Sequence, residues 1–163
     1  MTEFVLNYKN KYEIDTTGNT NPTDLTKATW ATLAAGISQV TPSFNETADT
    51  TEYYDGEGFG SDDITGKRLQ LAFTGHRKQG DTAQDFIAGL ALEVGDGLKT
   101  LFRWTQPDGS TIVGTVTLTA IVASGGNASA KQTFSFTAVF NGKPVYTAAK
   151  AGTSTPASGT TQG

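Results

Sequence analysis

The 163-residue sequence has no cysteine, so neither a disulfide framework nor a thiolate metal site is open to it. That absence fits a reducing compartment. No stretch approaches the ~18 consecutive apolar residues that span a bilayer, and the opening MTEFVLNYKNKYEI lacks a basic leader followed by an apolar run. These absences predict a protein without membrane spans or self-encoded export. Cationic clusters are missing too. The 12 Lys and Arg residues are scattered, the closest pairs being Lys67 with Arg68 and Arg77 with Lys78, and the formal net charge is −4. Phosphate binding draws on grouped Lys and Arg that release counterions, so the composition disfavours tight nucleic-acid binding.

What is abundant is threonine, with 28 residues beside 19 Gly. Threonine is stiff at its branched β-carbon and suits a pleated, half-solvated surface, which predicts a mainly β protein. A chain of this length is most simply one domain, large enough for a core to hold it without covalent staples.

Alternation marks the strands. In KRLQLAFTG (67–75), Leu69, Leu71 and Phe73 point one way and Gln70, Ala72 and Thr74 the other. LKTLFRWT (98–105) leads into the turn Gln106-Pro-Asp-Gly109 and then TIVGTVTLTAIV (111–122), which predicts a hairpin with a long second strand. Strict alternation in that strand puts Ile112, Val116, Leu118, Ala120 and Val122 on one face. Gly125-Gly126-Asn127 turns the chain into KQTFSFTAVF (131–140), where Phe134, Phe136, Ala138 and Phe140 share a face.

One segment has another period. DTAQDFIAGLALEV (81–94) opens on a capping Asp81 and carries Phe86, Ile87, Leu90, Ala91 and Val94 at helical spacing, with Gly95 placed to stop it. The spacing predicts one helix over 81–94. TWATLAAGISQVTPSF (29–44) suits either a short helix or a strand. AAKAGTSTPASGTTQG (148–163) has no large apolar residue and is expected to be a flexible tail after a single domain over 1–147.

Charge is concentrated in one place. Residues 46–63 hold seven of the 16 acidic residues and no Lys, Arg or His. A cation site is one reading, but the spacing of Asp49, Glu52 and Asp55 does not follow a calcium-loop pattern. Gly56, Gly58 and Gly60 have the look of a phosphate loop, yet Asp55 and Glu57 stand where cations are needed. A catalytic carboxylate pair would sit across a cleft on rigid strands, whereas turn formers break this run. His76, the lone histidine, lies in GHRK beside two cations that would repel a metal, and is expected in an exposed turn. No catalytic, cofactor or metal residue follows from the sequence. The large aromatics Tyr53, Tyr54 and Phe59 are the oddity in this acidic run. Burying each is worth roughly 1.5–3 kcal/mol, so they either fold back on their own domain or dock on a partner.

The order of elements carries a resemblance. TWATLAAGISQVTPSFNETADTTEYYDGEGF, then TGKRLQLAFTG, the segment DTAQDFIAGLALEVG, FRW, the turn PDGS, a long Thr-rich strand and FSFTAVFNGKP together resemble the major tail (tail tube) proteins of long-tailed bacteriophages, over about 29–145. The resemblance implies a β-sandwich or partly closed barrel with one flanking helix, forming hexameric rings that stack into a hollow tube for genome delivery. It implies no enzyme activity and no cofactor. The expected partners are copies of the chain, tape-measure, tail-tip or baseplate and tail-terminator proteins, with double-stranded DNA in transit. The expected location is the virion tail, assembled in the host bacterial cytoplasm. It also makes residues 45–65 a long inter-subunit loop or hairpin, with Phe44, Asp49, Glu52, Tyr53, Tyr54, Asp55 and Phe59 as assembly residues. Strands 111–122 and 131–140 become part of the lumen wall. The C-terminal immunoglobulin-like domain that such proteins often carry has no counterpart in 148–163. A secretion or contractile tube subunit, or a monomeric β-sandwich that binds carbohydrate, is the alternative.

Overall fold

A computed structural model of the chain describes residues 3–150. In chain order its elements are β1 (Lys11–Asp15), β2 (Trp30–Thr32), β3 (Ile37–Ser43), β4 (Thr47–Asp49), β5 (Asp63–Gly66), β6 (Gln70–His76), α1 (Thr82–Gly89), β7 (Lys99–Thr105), β8 (Thr111–Val122), β9 (Thr133–Phe140) and β10 (Val145–Thr147). The expected flexible tail over 148–163 falls mostly on 151–163, outside the described residues.

The Thr-rich strand β8 organises the sheet. Strand order is β2-β1-β7-β8-β9-β6-β3 with every pair antiparallel. One edge of β8 is taken by β7, and the other is shared between β10, at Val113 to Thr111, and β9, from Val116 onward. A second, two-stranded sheet of β4 and β5 stands apart.

Apolar alternation buries one face. Leu71 and Phe73 of β6, Val116 and Leu118 of β8, and Phe134, Phe136, Ala138 and Phe140 of β9 are all buried. The sheet curls around this core. Phe102 on β7 reaches Phe73, three strands away, at 5.7 Å between ring centroids, and the Leu33 amide beyond β2 donates to the Tyr12 carbonyl of β1 at 2.8 Å. The result is an open, curled main sheet with one flanking helix and the small β4–β5 sheet beside it, which answers the expected mainly β fold.

Three local readings change. Ala120 has φ +52°, and between Thr119 and Val122 the pairing with β9 gains one residue. This bulge inverts the alternation, so Ile121 packs on the core while Ala120 and Val122 are exposed. The helix is shorter than 81–94. It is capped by Asp81, which accepts from the Gln84 amide at 3.1 Å, and ends at Gly89. Glycine is a poor helix former, and the residues beyond it bury too little to compensate: Leu92 and Val94 are 98% and 84% exposed. Finally, 29–44 becomes the strands β2 and β3, and His76 is the exposed last residue of β6, paired with Thr133, rather than part of a turn.

Polar anchors hold the edges. The buried carboxylate of Asp15 accepts from the amides of Thr17, Asn19 and Thr29, which folds the 16–29 loop back so that β2 can pair with β1. Buried Gln84 of α1 donates to the carbonyls of Ala35 at 2.7 Å and His76 at 3.1 Å, joining the helix to β6 and to the turn before β3.

Candidate assembly interface

The acidic run forms a hairpin that leaves the body of the fold. Its base is fixed where β3 ends and β6 approaches. The Arg68 amide donates to the Phe44 carbonyl at 2.8 Å, and the Asn45 side-chain amide donates to the Arg68 carbonyl at 3.3 Å. Lys67 meets Glu46 at 3.0 Å and lies 5.9 Å above the Phe44 ring. Beyond this base β4 and β5 pair from Thr47 with Gly66 to Asp49 with Asp63, with a register shift after Thr47.

The tip is built from turns. Asp49 accepts from the Thr51 hydroxyl at 2.5 Å and its amide at 3.0 Å, and these hydrogen bonds hold its carboxyl below the usual carboxylate range. Tyr53 precedes a single 3-10 turn at Tyr54–Gly56, closed by Glu57 and Gly58 at φ +53° and +85°. Left-handed geometry at two successive residues reverses the chain sharply, which suits glycine at 58, while Glu57 adopts it despite its Cβ.

The residues expected to serve assembly, from Phe44 to Phe59, all lie on this arm or at its base. Asp49, Glu52 and Asp55 do not converge, and among the described residues no three His, Asp or Glu side chains are grouped as a metal site requires. The aromatics do not fold back on the domain. Tyr53, Tyr54 and Phe59 are 63%, 107% and 82% exposed, and Phe44 is half exposed. From 44 to 65 every residue but Gly56 is exposed.

Sequence reasoning missed a second feature. Where the curl of the sheet brings β3 near β1, a cleft of about 420 Å³ opens between Tyr8, Tyr12 and Trp104 on one wall and Ile37, Val40 and Pro42 on the other. Tyr12 stacks on Trp104 with centroids 5.9 Å apart, and the Trp104 indole N–H donates to the Asn10 side chain at 2.9 Å. Burial pushes the Tyr12 hydroxyl pKa up. The local pattern gave one signal, Phe4, Leu6, Tyr8 and Tyr12 crowded near the N-terminus, but the opposing wall comes from strands remote in sequence.

No protein-family model matches the chain, and no curated protein does. Solved structures do. The tail of an empty gene transfer agent particle, refined with C6 symmetry, matches with a TM-score of 0.67 at 19% identity, over 89% of this chain and 100% of that one. The fold is that of a phage tail tube protein. A chain of the native gene transfer agent virion matches this tail-tube fold at TM-score 0.62 and 18% identity, again over 89% and 100%. The tube-terminating cap of the anti-feeding prophage matches at 0.56 and 12% identity, over 91% and 94%.

Proposed function

We propose that this chain is a structural virion protein, the repeating subunit of a phage tail tube. Hexameric rings of it stack into the conduit that delivers double-stranded DNA to the bacterial host. The observation that carries this reading is a tail-tube fold bearing an exposed aromatic arm that its own body leaves uncovered. The C6 symmetry of the gene transfer agent tail supports six copies per ring. A ring needs a heterologous interface that closes by rotation, and stacked rings need a second one that propagates. An arm reaching off the sheet edge supplies one of them.

The lumen wall is assigned to the outward face of β3, β6, β9 and β8. Across it run the rows Thr41, Ala72, Thr137, Thr119 and Gln39, Thr74, Ser135. These groups are uncharged and offer no cation to the DNA phosphates, so the duplex slides without being held. Tape-measure, tail-tip or baseplate and terminator proteins complete the assembly in the host cytoplasm, and the subunit works without catalysis or cofactor.

Negative-stain electron microscopy with light scattering over a concentration series tests this. Hexameric rings or hollow tubes of uniform width are expected, and removal of residues 45–63 should leave a folded monomer. Normal tubes from that deletion would sink the arm assignment. The likeness to a tube-terminating cap supports a second reading, a tube subunit of a secretion or contractile system. That one predicts separable rings in place of long tubes.

A further inference from the structure

We infer that the cleft between β1 and β3 is the receptor for the arm, so that the Tyr53 and Tyr54 tip of one copy seats against Tyr8, Tyr12 and Trp104 of the next. The inference rests on the reading of 45–65 as an arm that docks on a neighbouring subunit, and adds where it docks.

Charge complementarity selects the occupant. The chain carries 12 Lys and Arg against 16 acidic residues, and seven of those acids lie in 46–63 with no basic residue. The remainder therefore has nine acids against 12 cations, a formal charge of +3 beside an arm of −7. No charged residue of either sign lines the cleft, so no acid there repels the arm, and exposed Lys9 stands between two of its lining residues, Tyr8 and Asn10. A second copy's arm thus meets a body of opposite charge, while two arms repel each other.

Shape and backbone agree. Cavities that seat a ligand run from about 300 to 1,000 Å³ and are mostly apolar with a few polar groups, and this cleft of about 420 Å³ is walled by aromatics and aliphatics. β3, which forms one wall, pairs among the described residues with β6 alone, so away from Pro42, which has no N–H, its outer edge presents unpaired amides and carbonyls to an added strand. Its own arm is poorly placed to fill it. That arm leaves two residues past Pro42, at the rim of the cleft, and the contacts of Phe44, Asn45 and Lys67 tie its base to the strand entering β6, so that its tip stays an exposed hairpin.

The absence of native cysteine makes disulfide trapping clean. Tyr54→Cys protein is mixed with Ser38→Cys protein, which carries its thiol in the cleft, and with Thr119→Cys protein as a control on the outward face. Diamide is the oxidant, and assembly is followed by microscopy. The docked pair should crosslink about a hundredfold faster than the control, as expected when proximity replaces diffusion. Asn7→Cys, exposed on the opposite wall, repeats the test should Ser38→Cys perturb the edge strand. Rings or tubes without the cleft crosslink overturn the cleft as receptor and leave the assembly reading standing. Crosslinked pairs without rings or tubes keep the receptor and overturn the tube. A Tyr54→Cys, Ser38→Cys double variant that closes its disulfide within one chain overturns the second copy as occupant.

Discussion

Tyr12 on β1 meets Phe73 on β6 edge-on, with ring centroids 5.2 Å apart and planes at 87°, although the two strands are four places apart in the sheet. This contact measures the curl. Phe73 also stacks on Phe136 at 4.6 Å, so one ring ties the two ends of the sheet to its middle.

Phe73→Ala is therefore expected to cost about 3–5 kcal/mol, the range for removing a buried aromatic. Urea unfolding read by far-UV circular dichroism checks it. A loss below about 1 kcal/mol would mean that the core refills and the curl does not depend on this ring.

Glu13 gives a pH dependence. Burial by itself raises the pKa of its carboxyl, but hydrogen bonds from Lys11 and Arg103, with their charges, outweigh that and leave it below the ordinary range. Folding thus favours the ionised form. The stabilisation is present above the unfolded pKa of about 4.3 and is lost as pH falls through the lower folded value. Glu13→Gln should destabilise by about 1.5–3 kcal/mol at neutral pH, the worth of hydrogen bonds to a charged group. The gap to the parent should narrow as pH falls below the unfolded value and through the lower folded one. A gap that holds constant across the acid range would refute the linkage.

The β3 edge depends on a close backbone approach at Gly75. A Cβ there would overlap the Gly36 carbonyl, and Gly36 itself sits at φ +76° beneath the His76 carbonyl. Gly75→Ala should cost about 1–3 kcal/mol or more by overpacking. Faster amide exchange in β3 than in β7 would locate the damage at this edge. Uniform exchange changes would show that the strain spreads through the whole sheet.

The arm predicts the opposite dissociation of stability from assembly. Replacing Tyr53, Tyr54 and Phe59 together by Ala should leave thermal unfolding within about 0.5 kcal/mol of the parent, because these side chains are exposed. The same variant should fail to form rings or tubes by electron microscopy. Intact tubes would place the assembly contacts elsewhere, with Leu92, Val94 and Phe4 the next exposed apolar residues to change.

How far the sequence could be read depended on how local each cause is. The faces of β6 and β9 were legible because alternation acts residue by residue, and Leu71, Phe73, Phe134, Phe136, Ala138 and Phe140 are buried as their period requires. The acidic run was legible from composition, while its reading as a long loop or hairpin came with the resemblance to tail tube proteins. The bulge at Ala120 was not, since the consecutive apolar residues Ala120, Ile121 and Val122 suit either face and only the fit to β9 adds the extra residue. The early end of α1 was half legible: Gly89 was there to be seen, but that Leu92 and Val94 find nothing to cover them is a tertiary fact. The cleft was out of reach, because Trp104 and Val40 meet across it only once the sheet has curled.

The position of β8 has a consequence for how this molecule opens. From Thr111 to Thr117 it is paired with β7 on one edge, while β10, Asn141 and β9 cover the other in turn. Its amides are freed only when the sheet is split down the middle, so they exchange with solvent hydrogen at the rate of global unfolding. The β4–β5 arm, tied to the body at its base alone, opens at a small fraction of that free energy. The chain thus divides into a slow-exchanging spine and a fast-exchanging limb, and the limb can reorganise on contact without loosening the spine.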